Sequence, residues 1–173
     1  GDIIGFTSVR QDISDKKRIY ELSITDGLTS LFNRRYFNEI AQTMIDNNSR
    51  NNEIFAFLIL DIDNFKKYND TYGHQEGDSV LISVANSLKN TFKRSDDYIF
   101  RLGGEEFGVL ISAKELCDVM PLVDAARENI ENLNIPHEKN PPKNVLTASF
   151  GLTILKSKKE SFNLDDIYKI TDD

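Results

Sequence analysis

The chain has 173 residues, a net charge of −7 and a hydrophobic fraction of 39%. That length and apolar content suit one α/β domain with a packed core and exclude a disordered chain, while the acidic balance argues against a nucleic-acid-binding surface and means that phosphate chemistry here would need a cation between like charges. The single cysteine, Cys117, excludes an internal disulfide and fits a reducing compartment, and the longest apolar run, Ile54 to Leu60, is too short to span a bilayer.

Gly1 does not resemble a natural start, and no signal peptide is visible, so upstream sequence is expected. Ile3, Ile4, Phe6 and Val9 suggest a strand or its remnant within residues 1–12. Ile13 to Leu22 reads as a helix capped by Asp12 or Ser14, with Lys16, Lys17 and Arg18 on a solvated face. This piece is either a frayed tail or a connecting helix. Thr25-Asp26-Gly27 is a turn signal. Leu28, Leu31 and Phe32 are spaced for one helical face, and a second helix carries Tyr36, Phe37, Ile40, Met44 and Ile45. Ile54 to Leu60 reads as a central strand buried on both faces.

That strand ends in Asp61-Ile62-Asp63. Carboxylates there are costly unless they are hydrogen-bonded or hold a metal, although they could also cap the next turn. Asn64 to Asp78 is polar and turn-rich. A third helix is predicted from about Asp78 to Phe92, with Val80, Leu81, Val84, Ala85 and Leu88 on its apolar stripe and Asp78 as a candidate cap. Arg94-Ser95-Asp96-Asp97 is a charged loop. Phe100-Arg101-Leu102-Gly103-Gly104-Glu105-Glu106-Phe107 predicts a tight hairpin with two carboxylates at its tip. A helix from Ser112 or Leu116 to Leu133, a loop over Pro136–Pro142, a strand over Val145–Ile154 and a last helix carrying Leu164, Ile167 and Ile170 complete the chain. The order implies a mixed sheet with helices packed on it.

Four stretches together resemble one family, the GGDEF-domain diguanylate cyclases of bacterial signalling. Asp26-Gly27-Leu28-Thr29 through Asn33-Arg34-Arg35 is similar to its opening motif. Asp61-Ile62-Asp63-Asn64-Phe65-Lys66 with Asn69-Asp70, Gly73-His74 and Gly77-Asp78 is similar to its central one. Arg101-Leu102-Gly103-Gly104-Glu105-Glu106-Phe107 is similar to the signature in its Glu-Glu form, and Thr147 to Gly151 resembles a later strand. The resemblance spans residues 23–173 and implies an α/β (α+β) fold: a palm-like mixed central sheet flanked by helices, similar to adenylyl cyclase catalytic domains.

The resemblance also implies a reaction. Two GTP molecules, one on each protomer of a homodimer, are joined into cyclic di-GMP with release of two pyrophosphates. Asp61, the Ile62 carbonyl and Glu105 would hold Mg²⁺, with Mn²⁺ as the alternative, and Glu106 would support them. Glu105 would be the catalytic residue and the candidate proton acceptor. Main-chain N–H groups of Asn64, Phe65, Gly103 and Gly104, with the Lys66 charge, would cradle phosphates. Asn69 and Asp78 would read guanine, since an Asp carboxylate accepts from N1–H and the exocyclic amine while an Asn amide donates to O6 or N7. His74 is a further contact candidate.

Arg94 and Asp97 match the family's RxxD inhibitory site, which binds the product, and Arg101 resembles an additional contact there; otherwise this is a solvated loop. Ser30 departs from the family's usual Gly. The family's last helix leads into a phosphate-binding Lys, and the chain ends at Thr171-Asp172-Asp173 as that segment begins. A C-terminally truncated, less active domain is therefore expected. Residues 1–22 resemble the end of a PAS sensor domain and a signalling helix, an upstream sensor acting in cis. The resemblance implies a cytoplasmic catalytic domain, with membrane attachment of the full protein open. The alternative is an inactive GGDEF module that binds GTP or cyclic di-GMP as a sensor.

Overall fold

The computed structural model describes residues 15–156. The expected strand over residues 1–12, its caps Asp12 and Ser14, and the last helix from Leu164 lie outside the described residues. The elements in chain order are α1 (helical residues 15–24), β1 (Phe32–Asn33), α2 (Arg34–Asn51), β2 (Ile54–Ile62), α3 (Phe65–Tyr72), α4 (His74–Thr91), β3 (Tyr98–Gly103), β4 (Glu106–Ala113), a 3₁₀ turn (Leu116–Asp118), α5 (Met120–Glu131) and β5 (Ala148–Leu155). No helix among the described residues is long and apolar enough to cross a membrane.

The five strands form one mixed sheet in the order β1-β3-β4-β2-β5. β1 runs parallel to β3, and the other neighbours are antiparallel. β2 lies between β4 and β5, so its apolar run is covered on both faces. Side chains alternate across a strand. Ala56, Leu58, Leu60 and Ile62 therefore join the core beneath α3, α4 and α5, with Val84, Leu88, Ala126 and Ile130. Phe55 and Phe57 point the other way and pack with Phe37, Ala41 and Ile45 of α2 and with Phe100 and Leu110. Each such buried aromatic contributes about 1.5–3 kcal/mol of transfer free energy. Asp61 falls on the α2-facing side at the open end of β2, where it meets no apolar cover.

Local chemistry sets the element ends. The Asn33 side chain caps α2 by accepting from Tyr36 N–H at 3.1 Å, and Asn52 closes it in the left-handed region (φ 58°). Glu115 and Asp118 form a reciprocal capping box around the 3₁₀ turn.

Several expectations shift. Residues 28–32 are not helical: Leu28 and Thr29 lie in a turn, and Phe32 pairs in register with Phe100 as an edge strand. The stretch from Asn64 to Asp78 is two helices joined at Gly73 (φ 91°, ψ 157°), not a turn-rich loop, so Asp78 sits inside α4 and does not cap it. The helix predicted from Ser112 or Leu116 begins at Met120 because β4 runs on to Ala113. β5 begins at Ala148; Val145 makes an isolated bridge to Pro136.

Candidate active site

The register of β2 with its two neighbours builds the centre of the site. Asp61 stands opposite Glu106 on β4 and Ser149 on β5. Cross-strand partners project to the same face. Glu105 is at the hairpin tip beside them. The Asp61 carboxyl is pushed above its ordinary value by burial first, and then by the negative charges of Glu105, Glu106 and Asp63. Asp61 and Glu105, far apart in sequence, thus lie close enough for the charge of one to act on the other.

Asp63 has a different job from Asp61. Its Oδ1 accepts the Ser149 hydroxyl at 2.6 Å, its Oδ2 accepts the Thr147 hydroxyl at 2.5 Å, and its N–H donates to the Thr147 carbonyl at 3.0 Å. Both carboxylate oxygens are therefore anchored to the start of β5. Among the described residues no three His, Cys, Asp or Glu side chains converge closely enough to hold a metal alone. The donors are oxygens only, and two carboxylates with a main-chain carbonyl fit a hard cation that completes its shell from phosphate oxygens.

The hairpin tip is held from below. Arg101 Nε and Nη2 donate to the Gly104 carbonyl at 3.0 and 2.9 Å, and Nη1 reaches both Asp26 oxygens at 3.3 Å. Thr29 N–H and hydroxyl donate to Asp26 Oδ1 at 2.8 and 2.7 Å. Burial would raise the Asp26 carboxyl, but the Thr29 hydrogen bonds and the Arg101 guanidinium outweigh it and hold it below the ordinary carboxylate value. Arg101, 16% exposed, is therefore engaged in tying the tip of the hairpin to the turn after α1. Gly104 lies in the left-handed region (φ 49°), and a Cβ at Gly103 or Gly104 would meet open space. The tip is closed to L side chains by its backbone angle and open to an approaching ligand.

Asn64 (φ 57°) turns the chain from β2 into α3. Phe65 and Lys66 follow as the first residues of α3, whose N-terminal N–H groups begin two residues past Asp63. Lys66 is exposed. At the far end of α3, Asn69 packs against Gly77 of α4. A Cβ at Gly77 would overlap Asn69 Oδ1, which is buried without a hydrogen-bond partner. Asp78, next to Gly77, is exposed, as is His74, the first residue of α4. The α3–α4 corner thus brings Asn69 close to Asp78's neighbour.

Arg94 and Asp97 close a small turn. Asp97 Oδ2 accepts Arg94 N–H at 3.1 Å, and Asp97 N–H donates to the Arg94 carbonyl at 3.2 Å. Asp97 Oδ1 is buried without a partner. Burial raises the Asp97 carboxyl despite the opposing Arg94 N–H bond and guanidinium charge.

The family model described as "Diguanylate cyclase, GGDEF domain" matches residues 23–173. The chain belongs to the GGDEF family. It is 36% identical over 148 residues to the probable diguanylate cyclase DgcT of Escherichia coli K12, covering 85% of this chain and 31% of that protein. It is 33% identical over 147 residues to the probable diguanylate cyclase DgcC of the same strain, covering 85% and 38%. The chain spans about a third of the length of these curated relatives. The GGDEF domain of DgcB from Caulobacter crescentus, solved in complex with c-di-GMP, is similar with a TM-score of 0.71 at 27% identity, covering 86% of this chain and 84% of that one. The mixed sheet flanked by helices is the palm-like GGDEF fold that was expected.

The residues that support the GGDEF site carry unequal signals in the sequence. Thr147 and Ser149 carried a signal, two hydroxyls two residues apart at one end of an apolar strand, which ask for a polar partner on one face. Asp26 carried a weaker one within its turn. His137 and Asn140, both buried, carried none: they lie in a loop between prolines and act on residues far away in the chain.

Proposed function

We propose that this GGDEF domain is the catalytic domain of a diguanylate cyclase, which converts two GTP into one cyclic di-GMP and two pyrophosphates. The observation that carries the reading is the placement of Asp61, at the open end of β2, beside the Glu105-Glu106 hairpin tip. Residues 23–173 form the catalytic domain in this reading, and residues 1–22 the end of an upstream sensor with its connecting helix.

Asp61, the Ile62 carbonyl and Glu105 would hold Mg²⁺, or Mn²⁺ in its place. When bound, that ion supplies positive charge to the phosphate oxygens. The chain's own residues do the rest. N–H groups of Asn64, Phe65, Gly103 and Gly104 and the Lys66 ammonium receive the phosphates. Asn69 and Asp78, with His74 nearby, read the guanine edge and orient the nucleotide. The 3′-hydroxyl of one GTP attacks the α-phosphate of the other, the bond to pyrophosphate breaks, and Glu105 takes the hydroxyl proton in this reading. Repetition with the roles exchanged closes the ring.

One protomer holds one GTP, so the reaction needs two copies face to face. Ile19 and Leu22 on α1, 67% and 68% exposed, support a helix that meets another chain. Product would return to Arg94 and Asp97, with Arg101 joining only by releasing Asp26, and restrain turnover. A cytoplasmic position for the catalytic domain follows from its substrate.

Titration calorimetry with Mg²⁺ and non-hydrolysable GTP or ATP analogues tests the site. The reading expects the guanine analogue to bind at least tenfold tighter, and Asp78→Ala to erase that preference. Equal binding of both nucleotides by the unaltered chain would sink it.

A further inference from the structure

The turn that leaves β2 is held by a loop for which the proposed chemistry has no role. Asn64 sits in the left-handed region, which costs a non-glycine residue about 1–2 kcal/mol, less for Asn, and its side chain makes no capping bond to α3. Its carbonyl already accepts the Tyr68 N–H at 3.0 Å, and His137 Nε2 reaches the same oxygen at 3.2 Å. A carbonyl can only accept, so Nε2 carries the proton. His137 is fully buried, packs edge-on against Tyr68 with ring centroids 5.2 Å apart, and is fixed in its loop by its N–H on the Asn144 carbonyl at 2.8 Å.

The Asn64 side chain is held as well. Its Nδ2 donates to Asn140 Oδ1 at 2.9 Å. Asn140 is buried, and its Nδ2 donates to the Val145 carbonyl and to Thr147 Oγ1, both at 2.9 Å. The Val145 carbonyl fixes the amide's orientation, so Asn140 must offer its oxygen to Asn64. The Thr147 hydroxyl accepts from Asn140 and gives its one proton to Asp63. The chain of bonds is directional from Asn64 through Asn140 and Thr147 to Asp63, with no group left to choose between partners.

We propose that the 136–147 loop is a clamp for the Asp63-Asn64-Phe65 turn, and that His137, Asn140 and Thr147 are positioning residues for the triphosphate. The proposal rests on the reading of that turn as the phosphate cradle. Polar groups buried away from water cost free energy unless paired, so a loop that buries a His and an Asn in order to grip one peptide and one side chain fixes where the following N–H groups point. The loop also meets the end of α3, where Glu138 N–H donates to the Tyr72 hydroxyl at 3.2 Å, but the bonds of His137, Asn140 and Thr147 go to Asp63, Asn64 and the loop itself and not to Asn69, His74 or Asp78. It acts on phosphate and not on base.

The test is a comparison of two ligands on the same protein: guanosine, and the GTP analogue with a methylene between the α- and β-phosphorus atoms, each with Mg²⁺. Three variants remove the clamp's bonds with little change of volume: His137→Phe, Asn140→Leu and Thr147→Val. Thermal melts confirm that each is folded. The expected result is an affinity for the analogue lower by tenfold or more, guanosine affinity unchanged, and rescue of the ratio by Thr147→Ser, which restores the hydroxyl. Equal losses for both ligands, or no loss for the analogue, would overturn the clamp. The Val and Ser pair at position 147 carries the test if the other two do not fold. A wild-type chain that binds neither ligand overturns the cyclase reading itself, a result distinct from a binding wild type with unaffected variants.

Discussion

Replacing Asp61 by Asn should make the metal-free protein more stable while abolishing its activity. Asp61 stands opposite Glu106 in the ladder, with Glu105 and Asp63 close by, and the four carboxylates repel one another. Directly opposite residues of an antiparallel pair lie about 5 Å apart, where two unit charges repel by about 0.8 kcal/mol in bulk water. Asp61 is exposed as a residue while its carboxyl is partly desolvated, so the water value is the nearer limit for the repulsion, salt weakens it further, and relief of the desolvation acts in the same direction. Loss of one charge from the cluster should therefore add about 0.5–1 kcal/mol, or a rise in Tm of about 1–4 °C for a domain of this size.

The pH dependence has a definite sign. A carboxyl whose pKa is raised by folding favours the folded state while protonated, and that advantage is lost as pH rises from the ordinary value of 3.8 through the raised one. The gap between Asp61→Asn and wild type should thus close in acid and be complete at neutral pH. Adding Mg²⁺ with a GTP analogue at about 100 times Kd should stabilise wild type by about 2.7 kcal/mol and the variant far less, which reverses their order. Melts with EDTA and with ligand, across pH, measure all of this. A variant less stable than wild type without metal at neutral pH, or a gap that survives well below pH 3.8, would refute the repulsive cluster.

Gly77→Ala should weaken GTP-analogue binding by tenfold or more, because the new methyl displaces the Asn69 side chain; calorimetry checks it, and unchanged affinity removes Asn69 from the guanine site. Ser30→Gly should raise stability by about 0.5–1 kcal/mol, since Ser30 is held at φ 56° where an L side chain is strained and glycine is not. A denaturant midpoint that does not move would show the turn to be unstrained. Asp26→Asn should loosen the hairpin tip and lower both stability and turnover. The Asp26 carboxyl is held below its ordinary value, so the stability difference should be present at neutral pH and vanish as pH falls through the lowered value. A difference independent of pH would mean that the Asp26 charge does not hold Arg101.

The parts of this molecule that were legible in the sequence are those whose signal is local. Seven apolar residues in a row, Ile54 to Leu60, marked a strand covered on both faces, and β2 is that strand. Gly103-Gly104 between apolar runs marked the hairpin for the same reason. Where the local signal was short, it misled. Leu28, Leu31 and Phe32 fit a helical face over too few residues to exclude a turn and an edge strand, and it is the distant Phe100 that makes Phe32 a strand. α3 was hidden because only Phe65 and Tyr68 of its eight residues are buried and the rest read as loop. The site divides the same way. Asp61 and Glu105 were visible as motif residues, and their pairing followed from the family resemblance. His137 and Asn140 act across 73 and 76 residues of chain, and nothing near them predicts that reach.

The most direct measurement of the central claim is the product. The protein, at a concentration high enough for two copies to meet, is incubated with GTP and Mg²⁺, and the nucleotides are separated chromatographically while pyrophosphate is counted. The account predicts cyclic di-GMP with two pyrophosphates for each molecule formed, and none from Glu105→Gln. GTP or cyclic di-GMP retained tightly by the unaltered protein, with no turnover, would contradict it and make the domain a nucleotide sensor.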